Sequence, residues 1–223
     1  DTNIVGFFNI LELVKNKKIP KLIFASTSSS YGSQSKTPYL ENSMNNTPLQ
    51  LYAATKISNE VMAHSYSHLY GFKSIGLRFF TVYGPYGRPD MAIFKFTDAI
   101  NKNKKIDLYD SGNMLRDCTY VDDIVIGITK TLKNKNINSN SNHNIYNIGY
   151  GNPVSVKNIL KVIEKNCDKK AIIQILPKHN SEMNKTYCST IKFNKHFNFK
   201  PKIDINVGLK KFNKWYNLYY KLN

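Results

Sequence analysis

Tyr52 and Lys56 stand four residues apart in the stretch Leu51-Tyr52-Ala53-Ala54-Thr55-Lys56. On a helix that spacing puts both side chains on one face, about a turn apart. An ammonium beside a phenol favours the phenolate, so a tyrosine so placed can act as a general base near neutral pH, which an unperturbed one cannot. The bland reading is an aromatic anchor and a solvated lysine. With 15 tyrosines and abundant lysine, roughly two such matches arise by chance in a chain this size, so the context decides.

That context is two apolar runs ending in hydroxyls. Lys21 to Thr27 (Lys-Leu-Ile-Phe-Ala-Ser-Thr) has the character of a buried parallel strand and ends in Thr27-Ser28-Ser29-Ser30, then Tyr31-Gly32. Ligands in open α/β sheets gather at the carboxyl ends of strands, so a site is expected here, against the alternative of a polar serine-rich turn. Ser74 to Phe80 reads as the next buried strand and also ends in a hydroxyl, Thr81. The loop after it, Val82-Tyr83-Gly84-Pro85-Tyr86-Gly87-Arg88-Pro89-Asp90, is punctuated by Gly and Pro and holds Arg88, a candidate anion clamp or simply a solvated arginine. His64 and His68 are four apart on the Tyr52 helix, but no third ligand accompanies them, and no metal site is expected.

The elements that must position these residues follow from periodicity. Asn3 to Asn16 reads as a helix with Ile4, Phe7, Phe8, Leu11 and Val14 at helical spacing. Thr47-Pro48 has the form of an N-cap with proline at the first helical position. The helix it would open runs past Tyr52 to about Tyr70, with Ala54, Ile57, Val61 and Leu69 on one side and Gly71 as its stop. Further helices are expected at Met91–Asn101, Ile124–Leu132 (opened by Asp122 and Asp123), from Ser155 to about Asn166, and Asn206–Tyr220 with the stripe Leu209, Phe212, Trp215 and Tyr219. Strands are expected at Lys105–Tyr109, Asn144–Gly149 and Ala171–Leu176, and Lys133–Asn144 as a low-complexity surface loop. Strands alternating with helices predict an α/β fold on a parallel sheet.

Composition narrows the function classes. The 223 residues suffice for one domain or two small ones. The formal net charge of +17 is carried almost wholly by lysines scattered among asparagines, without a nucleic-acid-binding motif, so no nucleic-acid partner is expected. Three widely spaced cysteines, Cys118, Cys167 and Cys188, show no metal or redox pairing and fit a reduced, cytoplasmic setting. No apolar run reaches membrane-spanning length and no signal peptide opens the chain. It begins with Asp1 and an immediate helical pattern, and reads as cut from something longer.

The order strand, Ser/Thr, Tyr-x-x-x-Lys resembles the short-chain dehydrogenase/reductase superfamily, specifically its extended, NAD-dependent epimerase/dehydratase branch. The most specific stretches are Phe24 to Gly32, Leu51 to Lys56, Leu77-Arg-Phe-Phe-Thr-Val-Tyr-Gly-Pro85, Gly87-Arg-Pro-Asp-Met-Ala92 and Arg116-Asp-Cys-Thr-Tyr-Val-Asp-Asp123. Together they look most like UDP-glucuronate 4-epimerases. The resemblance implies a partial Rossmann-type, doubly wound parallel sheet made of residues 1–82 and 117–150, with a smaller nucleotide-sugar-binding region made of 83–116 and 151–223. It implies NAD as cofactor and a UDP-sugar as substrate. Thr27 would hydrogen-bond the reacting sugar oxygen, Tyr52 would take its proton, and Lys56 would support Tyr52 and hold the nicotinamide ribose. Asn3 and Phe80 match positions that line the cofactor. Ser28, Ser29 and Thr81 would hold the sugar carboxylate, with Arg88 supporting rotation of the oxidised sugar and Arg116 meeting the diphosphate. A homodimer is expected of the complete protein, through the Asn3–Asn16 helix and the Tyr52 helix.

The related 4,6-dehydratases place an Asp-Glu pair after the threonine, because eliminating water needs its own acid and base, and the decarboxylases usually carry a Glu near there. Here the stretch is Thr27-Ser28-Ser29-Ser30, with no carboxylate, which favours epimerisation. Two departures stand against the pattern. No glycine-rich G-x-x-G-x-x-G turn for the NAD pyrophosphate occurs in the chain. The expectation is therefore a C-terminal part of an epimerase that by itself neither holds NAD tightly nor turns over, with the Lys21–Thr27 strand left as an apolar edge. In addition, His179-Asn180-Ser181-Glu182 replaces the usual Gly-Asp that grips the nucleotide, with Glu182 as the stand-in for the aspartate, and Cys188-Ser189 replaces a further Ala-Asp.

Overall fold

A computed structural model describes residues 1–33, 36–43, 47–134, 141–178 and 183–221. The chain folds as two compact units: Asp1–Phe80, Gly127–Ile148 and Cys188–Lys200 form the first, and Thr81–Ile126, Gly149–Tyr187 and Pro201–Asn223 the second. The architecture is α/β, with seven α-helices and predominantly parallel strand pairing among the described residues.

The first unit is built on strands β1 (Lys21–Thr27), β2 (Lys73–Phe79) and β7 (His143–Ile148), all parallel, in the order β1-β2-β7. Thr27 lies opposite Phe79, and Phe79 opposite Ile148, so the three strands end level with one another. The central strand β2 is buried from Ser74 through Arg78, as expected of a strand covered on both faces. Among the described residues β1 pairs on one side only, and its Ala25 is exposed, consistent with the open edge expected from the sequence. Helix α1 (Phe7–Asn16), entered through a wider π-type turn at Thr2–Gly6, and helix α2 (Leu51–Tyr70) pack with β1 around Leu11, Val14, Phe24, Ala63 and Phe72. Helix α6 (Ile191–Phe197) packs on β7.

Helix α2 differs from the sequence reading in two respects. It begins at Leu51, after an extended Gln50 (φ −138°, ψ 146°), so Thr47 and Pro48 precede the helix and do not cap it. Its buried positions are Ala53, Asn59, Glu60, Ala63 and Ser67, while Val61 and Leu69 are exposed. Of these, Glu60 finds partners on β1 and β2 and Ser67 Oγ donates to the His64 carbonyl of its own helix, which offsets the usual penalty for burying them. Gly71 does end the helix, in the left-handed region (φ 75°), with its N–H donating to the Ser67 carbonyl at 3.0 Å.

The second unit holds parallel pairs β3 (Thr81–Tyr83) with β6 (Cys118–Tyr120) and β4 (Lys105–Tyr109) with β9 (Ile172–Leu176). A small three-stranded sheet has the order β10 (Lys185–Thr186), β5 (Leu115–Arg116), β8 (Val154–Ser155). Helices α3 (Ala92–Asn101), α5 (Val156–Cys167) and α7 (Ile205–Tyr219) close around Phe94, Ile100, Ile159, Ile163, Leu209 and Phe212. Ser155 caps α5, accepting from the Asn158 N–H at 3.2 Å, and Asp204 caps α7 through the N–H groups of Asn206 and Val207. Helix α4 (Val121–Lys133) is divided between the units after Ile126. Its Asp123 accepts from the N–H groups of Lys202 and Ile203 at 2.8 and 2.7 Å, tethering the tail that leads into α7. The low-complexity stretch 135–140 lies outside the described residues, and no described helix is long and apolar enough to cross a membrane.

Candidate functional site

The candidate residues fall into two groups, one in each unit. In the first unit, Thr27 is the last residue of β1, buried, and caps the 3₁₀ turn Ser28–Tyr31, its Oγ1 accepting from the Ser29 N–H at 3.2 Å. Ser30 Oγ donates to the Thr27 carbonyl at 2.7 Å, which leaves Ser29 as the exposed hydroxyl of the turn. Tyr52 stands in the first turn of α2, 48% exposed, so its ring is not committed to the core. One turn on, Lys56 Nζ donates to the Ala25 carbonyl of β1 at 3.2 Å, two residues before Thr27. Burial pushes the Lys56 ammonium below its ordinary pKa. Asn3 Nδ2 donates to Thr55 Oγ1 at 3.0 Å, tying the chain start to the first turn of α2. Phe80 is buried in a cluster with Tyr31, Tyr39 and Cys188.

A carboxylate not foreseen in the sequence anchors this group. Glu60 lies one helical turn beyond Lys56 and is buried between β1 and β2. It accepts from Arg78 Nε and Nη2 at 2.9 and 2.7 Å and from Ser26 Oγ at 2.5 Å. Burial works against the Arg78 charge, but the Glu60 carboxylate overrides it and raises the guanidinium above its ordinary value. The guanidinium also lies 4.7 Å over the Tyr31 ring, and Tyr31 Oη donates to Asn147 Oδ1 at 2.6 Å. Burial pushes the Tyr31 phenol up to about 12, so it serves as a donor and not as a base. The network grips β1 through Ser26, next to Thr27, and grips α2 through Glu60, on the face that carries Lys56. The signal was available: Tyr52, Lys56 and Glu60 continue one another at a spacing of four.

In the second unit, Thr81 and Arg116 line one pocket of about 610 Å³ together with Asp90, Met91, Phe96, Leu108 and Ile159. That size and its largely apolar wall suit a small organic ligand, for which roughly 300–1,000 Å³ is usual. Arg116 Nη1 donates to the Met183 and Leu115 carbonyls at 2.7 and 3.1 Å, which fixes the guanidinium on β5. Arg88 does not line the pocket; it pairs with Asp90, which does. Gly84 is required where it is, because its φ is +149° and a Cβ there would lie 2.5 Å from Val121 Cγ1. Asp117, fully buried beside Arg116, takes the N–H groups of Tyr150 and Gly151 and orders the start of the segment after β7. Glu182 lies outside the described residues, and no cluster of three or more metal-ligating side chains occurs among those described.

A profile of the NAD dependent epimerase/dehydratase family matches residues 1–149. Protein CapI of Staphylococcus aureus is 45% identical over 234 residues, covering 99% of this chain and 70% of that protein. A probable UDP-glucuronate 4-epimerase of Rhizobium meliloti is 40% identical over 235 residues, covering 99% of this chain and 69% of the relative. Among solved structures, a UDP-glucuronic acid 4-epimerase from Bacillus cereus, in complex with UDP-glucuronic acid and NAD, superposes with a TM-score of 0.89 at 30% identity. It covers 98% of this chain and 68% of that one. The chain thus spans about two thirds of the length of such relatives.

Proposed function

This chain belongs to the NAD-dependent epimerase/dehydratase family, and from that premise we propose that it carries the catalytic and sugar-binding residues of a UDP-glucuronate 4-epimerase, interconverting UDP-glucuronate and UDP-galacturonate through a 4-keto sugar. The observation that carries the reading is the turn after β1. It offers hydroxyls from Thr27, Ser28 and Ser29 beside the helix of Tyr52 and Lys56, and no carboxylate. Of the carboxylates near it, Glu60 is consumed by Arg78 and Ser26, and Glu41 accepts from the Asn147 N–H at 3.0 Å. An oxidised sugar there meets donors that hold it and no second acid–base pair that would eliminate water.

Tyr52 takes the proton from the sugar 4-hydroxyl and returns it, Thr27 holds that oxygen, and Lys56 stands one turn behind as a fixed positive charge. Lys56, whose ammonium lies against the Ala25 carbonyl of β1, and Asn3, which is held on Thr55 of α2, are the residues that would hold the nicotinamide ribose. When bound, NAD supplies the hydride acceptor and donor for sugar carbon 4, and is regenerated in each cycle. No described helix opens on a glycine-rich turn, so these residues fit the nicotinamide end of the cofactor alone. In the first unit Ser28 and Ser29 hold the sugar carboxylate; in the second, Thr81 and Arg116 line the pocket that takes the nucleotide, with Arg116 for the diphosphate. The exposed apolar residues Phe8, Ile10 and Leu13 of α1 and Val61 and Leu69 of α2 support a homodimer through these helices. A cytoplasmic location accords with three free cysteines.

The test is product analysis. The polypeptide that carries these 223 residues, supplied with NAD, is incubated with UDP-glucuronate, UDP-galacturonate, UDP-glucose and their N-acetyl relatives. Interconversion of the two uronates supports the reading. Release of carbon dioxide or of a 4-keto-6-deoxy product, or turnover of neutral sugars alone, contradicts it.

A further inference from the structure

Strand β9 of the second unit is a sheet edge that lacks the usual protection. Among the described residues it pairs with β4 alone, in unbroken parallel register from Lys105 opposite Ile172 to Tyr109 opposite Leu176. Its sequence, Ile172-Ile173-Gln174-Ile175-Leu176, holds no charge and no proline. Edge strands usually carry a charge, a proline or a bulge, or are covered, because their outer row of N–H and C=O groups is a template for another chain. The side chains point the same way. Ile173 and Ile175 stand in register with Ile106 and Leu108 of β4, which are buried in the core. One strand further out the same layer is uncovered, with Ile173 44% and Ile175 66% exposed. Successive side chains alternate between faces, so Ile172, 54% exposed, presents apolar surface on the other side.

Lysines bracket the strand, Lys169 and Lys170 before it and Lys178 after it, all three exposed. The nearby carboxylate of Glu164 is already held by the Ala171 N–H at 2.9 Å and lies 3.5 Å from Lys170 Nζ. These flanks and the open edge together select the occupant. A second copy pairing antiparallel about Gln174 would set Lys170 opposite Lys178 of that copy, and like charges directly opposite are destabilising. A lipid surface would cover the isoleucines but offers nothing to the edge N–H and C=O groups. A nucleic acid would meet the lysines through its phosphates and leave the isoleucines uncovered. An extended polypeptide with acidic flanks satisfies all three features: backbone groups on the edge, apolar side chains over the isoleucines, and carboxylates on the lysines.

We infer that β9 is a docking edge for a partner protein, which adds an apolar extended segment flanked by acidic residues as a further strand beside β9. The added strand continues the β4–β9 sheet outward and closes the apolar layer that Ile173 and Ile175 leave open. The lysines give the contact its selectivity for acidic flanks and keep copies of this chain from pairing with one another. The inference stands apart from the nucleotide-sugar reading, since β9 contributes no residue to the lining of the second unit's pocket.

Fluorescence anisotropy tests this with the polypeptide that carries these 223 residues and a panel of labelled peptides. Each peptide has Asp-Glu at one end, Glu-Asp at the other, and a centre drawn from Val, Ile, Thr and Tyr. The best binder is then compared with the same peptide N-methylated at its central amides and with a version whose acids are replaced by lysine. Methylation, and the variant Ile175→Lys, should each weaken binding by at least about tenfold, the size of one apolar side chain left unburied. The double variant Lys170→Glu/Lys178→Glu should reverse the preference, favouring the lysine-flanked peptide by about fivefold. All three substituted side chains are exposed, and circular dichroism checks that the variants keep their fold. Binding by no member of the panel, equal binding of the methylated peptide, or a preference for acidic flanks that survives the double variant overturns the inference. So does a dimer that Ile175→Lys breaks, or retention on phosphatidylglycerol vesicles that Ile175→Lys abolishes; these outcomes assign the edge to a second copy or to a membrane.

Discussion

His143, at the start of β7, shows how a single buried side chain gives the fold a pH dependence that no motif announces. Burial, aided by the neighbouring His64, pushes its imidazole down to about 4. Its ring meets His64 edge-on at 5.4 Å, and Nδ1 lies 3.2 Å from Ser74 Oγ, with Glu60, Lys192 and Arg78 the other charged groups acting on it. A depressed histidine is neutral in the fold but charged in the unfolded chain below about pH 6.5. The unfolded state then binds more protons, and stability falls as pH drops from about 6.5 to 4. Discounted for partial exposure, the loss is on the order of 1–2 kcal/mol. Urea unfolding at pH 7 and pH 4.5 should show that loss in the wild type and a smaller one in His143→Gln; equal losses would remove His143 as the cause. The pair Tyr52 and Lys56 was legible in the sequence because it is local. The environment of His143 was not, since its neighbours come from α2 and β2, far away in the chain.

At the scale of the element, α2 is located by its buried clamp as much as by its apolar residues. Glu60, Arg78 and Ser26 join the helix to β1 and β2 with a bidentate pair and a hydroxyl. Removing one partner leaves a buried charge unpaired, which costs about 3–5 kcal/mol. Glu60→Gln and Arg78→Met should each destabilise the protein by that order in urea unfolding. The double variant Glu60→Leu/Arg78→Met should cost clearly less than the two single losses combined, because both buried charges then go together. Strict additivity would mean that the two groups act separately. The helix itself was legible, and Gly71 marked its end. Its start and its buried stripe were misread, because Thr47-Pro48 mimics a cap and because the polar residues Asn59, Glu60 and Ser67 are buried, Glu60 against partners on other elements. Arg116 gave a similar surprise: the Met183 carbonyl that fixes it lies on a segment 67 residues further on.

For the whole molecule, alternating strands and helices were enough to read an α/β fold with parallel pairing, since each strand's apolar run and hydroxyl end are local signals. The allotment of segments between two units was less accessible, because it depends on long-range pairings such as Tyr39 with Cys188. If the pocket of the second unit takes a nucleotide sugar, ligand binding stabilises the fold by mass action, by about 2.7 kcal/mol at a hundredfold excess over Kd. UDP-glucuronate should therefore raise the melting temperature, and Arg116→Met should abolish that rise. The dimer proposal is checked by sedimentation: Leu13→Glu, on the exposed face of α1, should shift the protein to monomer without loss of helix content.

In the proposed reaction everything turns on Tyr52 as the group that moves the proton of the sugar hydroxyl. The most direct measurement is single-turnover epimerisation of UDP-glucuronate by Tyr52→Phe, with NAD supplied, alongside a titration of substrate affinity. Turnover should fall by at least about a hundredfold, in the range of general acid–base catalysis, with affinity for UDP-glucuronate unchanged. Near-normal turnover in Tyr52→Phe would contradict it.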